Sequence, residues 1–263
     1  MSFSCAFSHA VCRLPSDDLT AGLRAVDTGD PDAIQFARDH ADYVAALRAT
    51  GADVTVLPAL PDHADGVFVE DTALCLPRGA ILMRPGAPSR LGEVAHMVPA
   101  LRAIYGDELH EITAPGRIEG GDILITEREV LVGLSERTDM AGVDQLREIL
   151  GGLGHALRVV ETPEGVLHFK TDCSLLEPET VLSTKRLAQS GCFEGYRVLH
   201  TAEGEEAAAN AIRFNDVVIM AKGFPRTAEM LDKAGYDIVE IGNSEAAKLD
   251  GGMSCLSLRI ARP

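Results

Sequence analysis

Four short stretches of the chain place nucleophilic or ionisable side chains beside apolar residues or glycines. The stretches are FVED (68–71), EGGD (119–122), LHF (167–169) and GGMSC (251–255). Each is ordinary when taken alone, because a histidine between Leu and Phe is usually structural and a cysteine in a strand usually packs as a small core residue. Together they supply a thiol, an imidazole and several carboxylates, which are the groups that nucleophilic catalysis needs.

In such a set Cys255 would be the attacking thiolate and His168 would transfer protons, with a carboxylate orienting the imidazole. Two or more carboxylates would bind a delocalised cation such as guanidinium through charge-assisted, bidentate hydrogen bonds. Gly251 and Gly252, just before the cysteine, would let the backbone approach a ligand closely. These residue types therefore predict covalent attack on a cationic, guanidinium-like group.

The four stretches are expected to meet because the chain repeats one pattern of an apolar hairpin, a helix-like stretch and a further strand. The hairpins occupy 67–86, 119–134, 167–186 and 209–225, and a fifth would pair 251–260 with a first strand at 4–11. Equivalent positions, at spacings of 51, 50, 38 and 45 residues, are Asp71, Asp122, Asp172, Asn210 and Cys255. Self-similarity near this period indicates a propeller or a solenoid, and equivalent turns would converge on one pocket.

Helix-like stretches lie between most of the hairpins and the strands that follow them. The helices are predicted at 31–50, 89–104, 139–152 and 226–235. The third shows apolar residues at helical period, namely Val143, Leu146, Ile149 and Leu150. The final strands are predicted at 53–58, 108–113, 156–162, 196–201 and 236–242. No low-complexity linker interrupts this order, so a single domain over 1–263 is expected.

The composition narrows the class of protein further. The chain has 263 residues, of which 24 are Lys or Arg and 40 are Asp or Glu, giving a formal net charge of −16. Nucleic acid or an acidic membrane surface is therefore not expected as a partner, since both need a basic face. The N-terminal stretch lacks the basic residues of a signal peptide, and the six scattered cysteines form no zinc-ligand or CxxC pattern. Reduced thiols in a cytoplasm are the expectation.

Six motifs together resemble the dimethylarginine dimethylaminohydrolase family, which belongs to the pentein, or guanidino-group-modifying, superfamily. The motifs are GVFVED (66–71), RPGAPSRLGE (84–93), APGRIEGGDIL (114–124), GLSERTD (133–139), LHFKT (167–171) and KLDGGMSCLSLR (248–259). The resemblance covers essentially the whole chain. It implies an α/β fold, a five-bladed ββαβ propeller closed by the two chain ends, and a single catalytic domain over 1–263.

The resemblance also implies roles for individual residues. Cys255 would be the nucleophile, His168 the catalytic histidine, and Glu119 the carboxylate that orients it. Arg90 and Arg137 would bind the substrate carboxylate, a role that suits the forked guanidinium of arginine. The implied substrate-binding residues are Leu23, Asp65, Glu70, Asp71, Arg90, Arg137, Leu249 and Ser254.

One triplet separates relatives within the superfamily. Arginine deiminases and amidinotransferases typically have His-x-Asp, whose aspartate binds the free end of the guanidine, whereas this chain has His168-Phe169-Lys170. The missing carboxylate leaves room for N-methyl groups. The implied reaction is hydrolysis of asymmetric dimethylarginine or monomethylarginine to L-citrulline and dimethylamine or methylamine through a thiouronium on Cys255, without metal or organic cofactor.

Two other functions stay open from the sequence. One is hydrolysis of another guanidino substrate by an arginine deiminase-like enzyme, which ammonia rather than dimethylamine as product would reveal. The other is a non-catalytic pentein that serves as a binding module, although such proteins lack the Cys and His that this chain has. A homodimer is left open beside a monomer, and the expected partner is a small methylated arginine.

Overall fold

Five small sheets account for the strands in residues 3–163 and 165–261, which are the residues that the computed structural model describes. The strands are β1 (His9–Arg13), β2 (Asp53–Leu57), β3 (Ala73–Leu76), β4 (Gly79–Leu82), β5 (Leu109–Glu111), β6 (Ile123–Ile125), β7 (Val130–Gly133), β8 (Leu157–Val160), β9 (Cys173–Glu177), β10 (Thr180–Ser183), β11 (Arg197–His200), β12 (Ile212–Phe214), β13 (Val217–Ala221), β14 (Asp237–Ile241) and β15 (Leu258–Ile260). The α-helices are α1 (Ala33–Ala49), α2 (Val98–Tyr105), α3 (Met140–Leu153), α4 (Lys185–Ala188), α5 (Pro225–Lys233) and α6 (Ser244–Ala247).

Every sheet has the same topology. Its middle strand pairs antiparallel with one neighbour and parallel with the other. In four of the sheets the antiparallel pair is a tight hairpin, and a parallel pair requires a crossover connection. Helices α2, α3, α4 and α5 lie in the crossovers of four sheets, so each sheet and its helix form one ββαβ unit, here called a blade. Blades 1 to 4 are β3–β5, β6–β8, β9–β11 and β12–β14.

Blade 5 combines both ends of the chain. Strand β1 pairs antiparallel with β15, with His9 opposite Ile260, and parallel with β2, with His9 opposite Asp53. This pairing confirms that the two ends build one sheet. The first strand begins at His9 rather than at Ser4, where the sequence pattern placed it.

The predicted helices occur with small shifts of their ends, except for the one at 89–104. Helix α1 begins after Asp32, whose Oδ1 atom accepts hydrogen bonds from the N–H groups of Ile34 and Gln35, a common way of satisfying the first turn. The stretch at 89–104 is instead a 3-10 segment, Pro88–His96, followed by the eight-residue helix α2. Pro99 explains this break, because a proline lacks the N–H that a continuing helix would use.

The core consists of five apolar clusters, each of which joins two neighbouring blades. For example, Val11 and Ile260 of blade 5 pack with Ala80 of blade 1, and Leu131 of blade 2 packs with Val181 of blade 3. The other three clusters join blades 1 and 2, blades 3 and 4, and blades 4 and 5. This arrangement is that of a five-bladed propeller. Among the described residues, no helix combines the length and the apolar character that a membrane span would need.

A 3-10 turn precedes the first strand of every blade. The turns are Val69–Thr72, Gly120–Asp122, Phe169–Thr171, Glu206–Ala209 and Ser254–Leu256. The sequence pattern suggested that the polar motif residues lie within the strands. They lie instead in or beside these turns. The five repeat positions, Asp71 to Cys255, all fall within the last two residues of a turn or just after it.

Hydrogen bonds from one turn to the next explain why polar residues occupy these positions. The Asp71 Oδ1 atom accepts a hydrogen bond from the Gly121 N–H at 2.8 Å. In the same way, Asp122 Oδ1 accepts from the Phe169 N–H at 2.9 Å. The buried backbone donors of these turns therefore have partners, which burial requires. The same contacts hold the turns of blades 1, 2 and 3 close together.

Candidate active site

The thiol of Cys255 lies in the turn of blade 5, next to two hydrogen-bond donors. Its Sγ atom is 3.4 Å from the backbone N of Gly252 and 3.9 Å from Nδ2 of Asn210. Position 252 has to be glycine, because a Cβ there would lie 2.3 Å from the Asn210 side chain. The turn thus fixes the sulfur against a neutral backbone and side-chain surface.

His168 and Glu119 form a short polar contact in the site. The His168 Nε2 atom is 2.6 Å from Glu119 Oε2, and the Glu119 side chain is fully buried. Glu119 Oε1 accepts a hydrogen bond from the Gly86 N–H at 2.9 Å and lies 3.6 Å from Arg137 Nη1. The carboxylate therefore has partners on both oxygens, and one of them is the imidazole.

The electrostatics of the pair favour the charged forms of both residues. Burial alone would lower the pKa of His168, but Asp71, Asp122 and Glu119 outweigh it and raise that pKa to about 9. Burial would raise the pKa of Glu119, but the hydrogen bond and charge of His168 lower it to about 2. At neutral pH this is an imidazolium–carboxylate pair.

The surroundings of Cys255, in contrast, favour the neutral form of its thiol. Burial raises the pKa of its thiol to about 11, and the carboxylates of Glu70 and Asp71 act in the same direction. The Gly252 N–H and the Lys170 ammonium oppose them only in part. The resting nucleophile is therefore a neutral thiol, and a cation bound next to the sulfur would favour the thiolate.

Asp71 and Arg90 form a buried ion cluster on the wall of the site. Arg90 Nη1 is 2.5 Å from Asp71 Oδ2, and Arg90 Nη2 is 2.8 Å from both Glu93 Oε2 and the carbonyl oxygen of Phe68. Arg90 is only 4% exposed. Asp71 is thus held at both oxygens, by Arg90 and by the Gly121 N–H, and its orientation does not depend on a ligand.

These groups meet in one cavity of about 200 Å³. A loop between β1 and α1 covers part of it and is tied down at two points. The Leu23 N–H donates to the Asp65 carboxylate at 3.0 Å, and the Ala25 N–H donates to Asp250 Oδ2 at 2.6 Å. The predicted residues that line the cavity are Leu23, Asp65, Asp71, Arg90, Glu119, Arg137, His168, Leu249 and Cys255.

Glu70 and Ser254 are placed differently from what the sequence suggested. Among the described residues, the lining of the cavity does not include them. Glu70 Oε1 is 2.5 Å from Lys170 Nζ and 2.5 Å from Arg259 Nη2, and the Ser254 hydroxyl donates to Glu70 Oε2 at 2.7 Å. Both side chains therefore belong to a buried polar network beside the site, and Lys170 points into that network and away from the cavity.

Three residues of the site, Asn210, Asp122 and Asp250, were not assigned a role from the sequence, and Gly252 has a role beyond the close backbone approach expected of it. Asn210 contacts the sulfur, Asp122 supports the imidazolium, Gly252 donates to the thiol, and Asp250 holds the loop. The repeat alignment contained a signal for the first two, because both stand where Asp71 stands in blade 1. Asp250 has a φ of 57°, a left-handed backbone conformation that the sequence does not reveal.

The cavity also contains three side chains of the types that bind metal ions, namely Asp71, Glu119 and His168. One potential ligand atom from each of the three lies within 4.8 Å of the others. All three groups already have strong partners, since His168 is bonded to Glu119 and Asp71 to Arg90. The geometry is explained without an ion, by charge pairing within the site.

A five-bladed propeller with a Cys–His–Glu set and an aspartate in one acidic cavity defines a guanidino-group-modifying pentein. The family model for arginine deiminase matches residues 59–221. A dimethylarginine dimethylaminohydrolase of Pseudomonas aeruginosa is 38% identical over 97% of this chain and 100% of its own length. The enzyme of the same name from Streptomyces coelicolor is 34% identical over 95% of this chain and 96% of its own length.

A solved structure agrees with these sequence comparisons. A P. aeruginosa dimethylarginine dimethylaminohydrolase, a cysteine-to-serine mutant complexed with citrulline, has a TM-score of 0.94 and 37% identity, covering 97% of this chain and 99% of that one. The chain therefore belongs to the dimethylarginine dimethylaminohydrolase family.

Proposed function

We propose that this protein hydrolyses asymmetric dimethylarginine and monomethylarginine to L-citrulline and dimethylamine or methylamine. One observation carries the proposal: the cavity that holds the Cys255 thiol also holds the His168–Glu119 pair and the Asp71 carboxylate. The citrulline complex of the P. aeruginosa relative supports the product. The enzyme class is that of a dimethylargininase.

Substrate binding uses charges at both ends of the cavity. Asp71 faces the guanidinium, and Asp65 faces the amino end of the substrate. The substrate carboxylate binds Arg137, whose side chain is 22% exposed, together with the remaining donor capacity of Arg90. Leu23 and Leu249 contact the aliphatic part. Because Asp71 and Arg90 are already oriented by one another, the site needs little reorganisation when the substrate binds.

The first chemical step forms a thiouronium and releases the amine. The bound guanidinium favours loss of the Cys255 proton to the solvent, since His168 is already protonated, and the thiolate attacks the guanidinium carbon to give a tetrahedral adduct. The imidazolium of His168 donates its proton to the nitrogen that carries the methyl groups. The C–N bond breaks, and dimethylamine or methylamine leaves with that proton.

The second step hydrolyses the thiouronium. His168, now neutral, takes a proton from a water molecule that attacks the same carbon. The C–S bond breaks, which restores the cysteine sulfur and releases L-citrulline. Glu119 stabilises the imidazolium in each half-reaction through its 2.6 Å contact, so it acts on the reaction through His168.

Selectivity for methylated substrates follows from position 170. Lys170 binds Glu70 outside the cavity, so this position supplies no second carboxylate to the distal guanidine nitrogen. Free arginine would bury donors without partners there, at a cost of about 1–3 kcal/mol. Methyl groups need no partner and gain about 0.8 kcal/mol each from burial. Together these effects predict at least a tenfold preference for methylated arginine.

Product analysis tests the proposal. Purified protein is incubated separately with dimethylarginine, monomethylarginine and free L-arginine, and citrulline and the released amines are measured by mass spectrometry, with Cys255→Ser as the matched inactive control. Citrulline and dimethylamine from the first substrate are expected. Comparable kcat/KM for free and dimethylated arginine, with ammonia as the product, would instead establish the arginine deiminase-like alternative. No turnover of any guanidine would favour the binding-module alternative.

Three further properties of the protein concern its compartment, its partners and its oligomeric state. The free thiols of the described residues suit a reducing cytoplasm, which localisation of the tagged protein tests. The net charge of −16 argues against nucleic acid and acidic membrane surfaces as partners. Light scattering distinguishes a homodimer from a monomer.

A further inference from the structure

Three repeat positions perform the same structural task. Asp71 and Asp122 each use Oδ1 to accept a hydrogen bond from a backbone N–H in the turn of the next blade. Asn210 of blade 4 does the same, since its Oδ1 accepts from the Ser254 N–H at 2.9 Å. For this task an aspartate would serve in blade 4 as well as it serves in blades 1 and 2.

The three positions differ in the other terminal atom of the side chain, the one that does not accept from the next turn. Asp71 Oδ2 faces the Arg90 guanidinium, and Asp122 Oδ2 accepts hydrogen bonds at 2.6 Å from the hydroxyls of Ser135 and Thr138. A carboxylate oxygen is well matched to those neighbours. The corresponding atom of Asn210 is Nδ2, and its neighbour is Cys255 Sγ at 3.9 Å. An N–H there can donate to sulfur, whereas a carboxylate would face a sulfur that must become an anion.

We propose that Asn210 is a positioning residue for the nucleophile, whose amide N–H supports the Cys255 thiolate and whose neutrality keeps another carboxylate away from the sulfur. This inference rests on the proposed function only in taking Cys255 as the nucleophile. Asn210 is 8% exposed and packs against Gly252, so its amide is confined to this orientation. Two donors, from Asn210 and Gly252, then converge on one sulfur.

The charges around the sulfur make neutrality at position 210 important. The anions that act on Cys255 are Glu70 and Asp71, and the nearby cations are Lys170, Arg259 and His168. Lys170 and Arg259 are both paired with Glu70, and His168 is paired with Glu119. Two cations share the single carboxylate of Glu70, and the pKa of Cys255 is raised to about 11 in spite of that excess positive charge, so a further carboxylate beside the sulfur would raise it more. Two unit charges about 4 Å apart interact strongly even at an effective dielectric constant of about 20.

The test is the pH dependence of iodoacetamide alkylation at Cys255, followed by mass spectrometry of the Cys255 peptide. Asn210→Asp keeps the oxygen that accepts from Ser254 and changes only the atom facing the sulfur. The midpoint for alkylation is expected to rise by at least one pH unit, with at least tenfold slower alkylation at pH 8. Asn210→Ser, which removes the donor without adding charge, is expected to give a smaller shift in the same direction.

Asn215→Asp is the matched control. It introduces the same charge at the hairpin turn between β12 and β13 of the same blade, where Asn215 contacts Phe7 and Thr50. Its φ of 55° is one that aspartate tolerates. This variant is expected to keep the wild-type alkylation profile. Circular dichroism and thermal melting show that each variant is folded before the comparison.

A wild-type alkylation profile in folded Asn210→Asp would overturn the inference, because a purely structural role does not act on the thiol. The result does not depend on the substrate, since iodoacetamide needs no guanidine pocket. If Cys255 alkylation shifts as expected but methylated arginines are not hydrolysed, the role of Asn210 stands and the proposed substrate fails. If methylated arginines are hydrolysed but the alkylation profile does not shift, the proposed substrate stands and the role of Asn210 fails.

Discussion

The Nε2 atom of His168 lies 2.6 Å from Oε2 of Glu119, and Asp71, Asp122 and Glu119 together raise the pKa of this histidine. The pKa of the Cys255 thiol is raised as well, by other causes. Burial of the imidazole is outweighed by the surrounding carboxylates, so the pKa of His168 rises to about 9. Burial and two carboxylates raise the pKa of Cys255 to about 11. In the free enzyme the reactive thiolate–imidazolium form is therefore a minority of the singly deprotonated enzyme.

The pH dependence of turnover follows from this order. We expect kcat/KM to rise as the pH approaches about 9, where the free enzyme loses its first proton, and to fall above about 11, where it loses the second. The rising limb of kcat should lie at lower pH than that of kcat/KM, because the bound guanidinium lowers the pKa of Cys255. Steady-state kinetics across this range provide the measurement, and coincident rising limbs would contradict substrate-assisted ionisation.

Replacing the nucleophile should abolish turnover without unfolding the protein. Cys255→Ser is nearly isosteric, but its hydroxyl ionises far less readily than a thiol, so citrulline production should fall below detection. Cys192→Ser is the control, because Cys192 is buried against the Leu187 carbonyl and outside the cavity. The control should retain activity. If loss of a cysteine other than Cys255 stopped turnover, the nucleophile would have to be reassigned.

Removing the imidazole should separate attack from amine release. His168→Gly leaves the Cys255 turn in place but removes the proton donor for the departing amine and the base for the water. We expect no measurable dimethylamine release, with iodoacetamide alkylation of Cys255 still detectable by mass spectrometry. Amine release at a near-normal rate in this variant would place the general acid on another residue.

The two arginines should behave differently although the sequence gives them the same role. Arg137→Ala should reduce kcat/KM for dimethylarginine more than tenfold, since it removes a charge partner of the substrate carboxylate, and have little effect on an alkylguanidine that lacks one. Arg90→Ala should also lower the melting temperature, because Asp71 and Glu93 would be left buried without their partner, at about 3–5 kcal/mol. Equal losses on both substrates for Arg137→Ala would exclude carboxylate binding by this residue.

Lys170→Asp should not create an arginine deiminase, even though it restores the His-x-Asp triplet. The side chain at this position points to Glu70, so the variant would bury two carboxylates together and lose the Lys170–Glu70 pair, at about 3–5 kcal/mol. A fall in melting temperature of at least about 6 °C is expected. Lys170→Met, which leaves Glu70 paired with Arg259 and adds no second carboxylate, should recover much of the loss. Efficient deimination of free arginine by Lys170→Asp would show that position 170 can reach the cavity.

The sequence predicted the repeats and the sharing of one blade by the two chain ends, because hairpin and helix periodicities are local properties. The substrate-binding residues were implied by the family resemblance, and most of them line the cavity. It did not predict the 3-10 turns, whose form depends on hydrogen bonds between blades, such as Asp71 to Gly121. It also grouped Glu70 with Asp71. Adjacent residues in a tight turn point in different directions, so only Asp71 faces the cavity while Glu70 binds Lys170 and Arg259.

The pairing of β1 with β15 has a consequence for the order in which the protein folds. His9 and Ile260 are neighbours in blade 5 but lie almost at opposite ends of the chain, so their contact has one of the greatest loop-closure costs in the molecule. Cys255 stands just before β15, whereas Asp71, Glu119 and His168 belong to blades whose strands are close in sequence. Folding intermediates could thus assemble the substrate-binding carboxylates and the imidazole first. The thiol would be the last catalytic group to reach its place, so the chain would gain reactivity only once the native topology is complete.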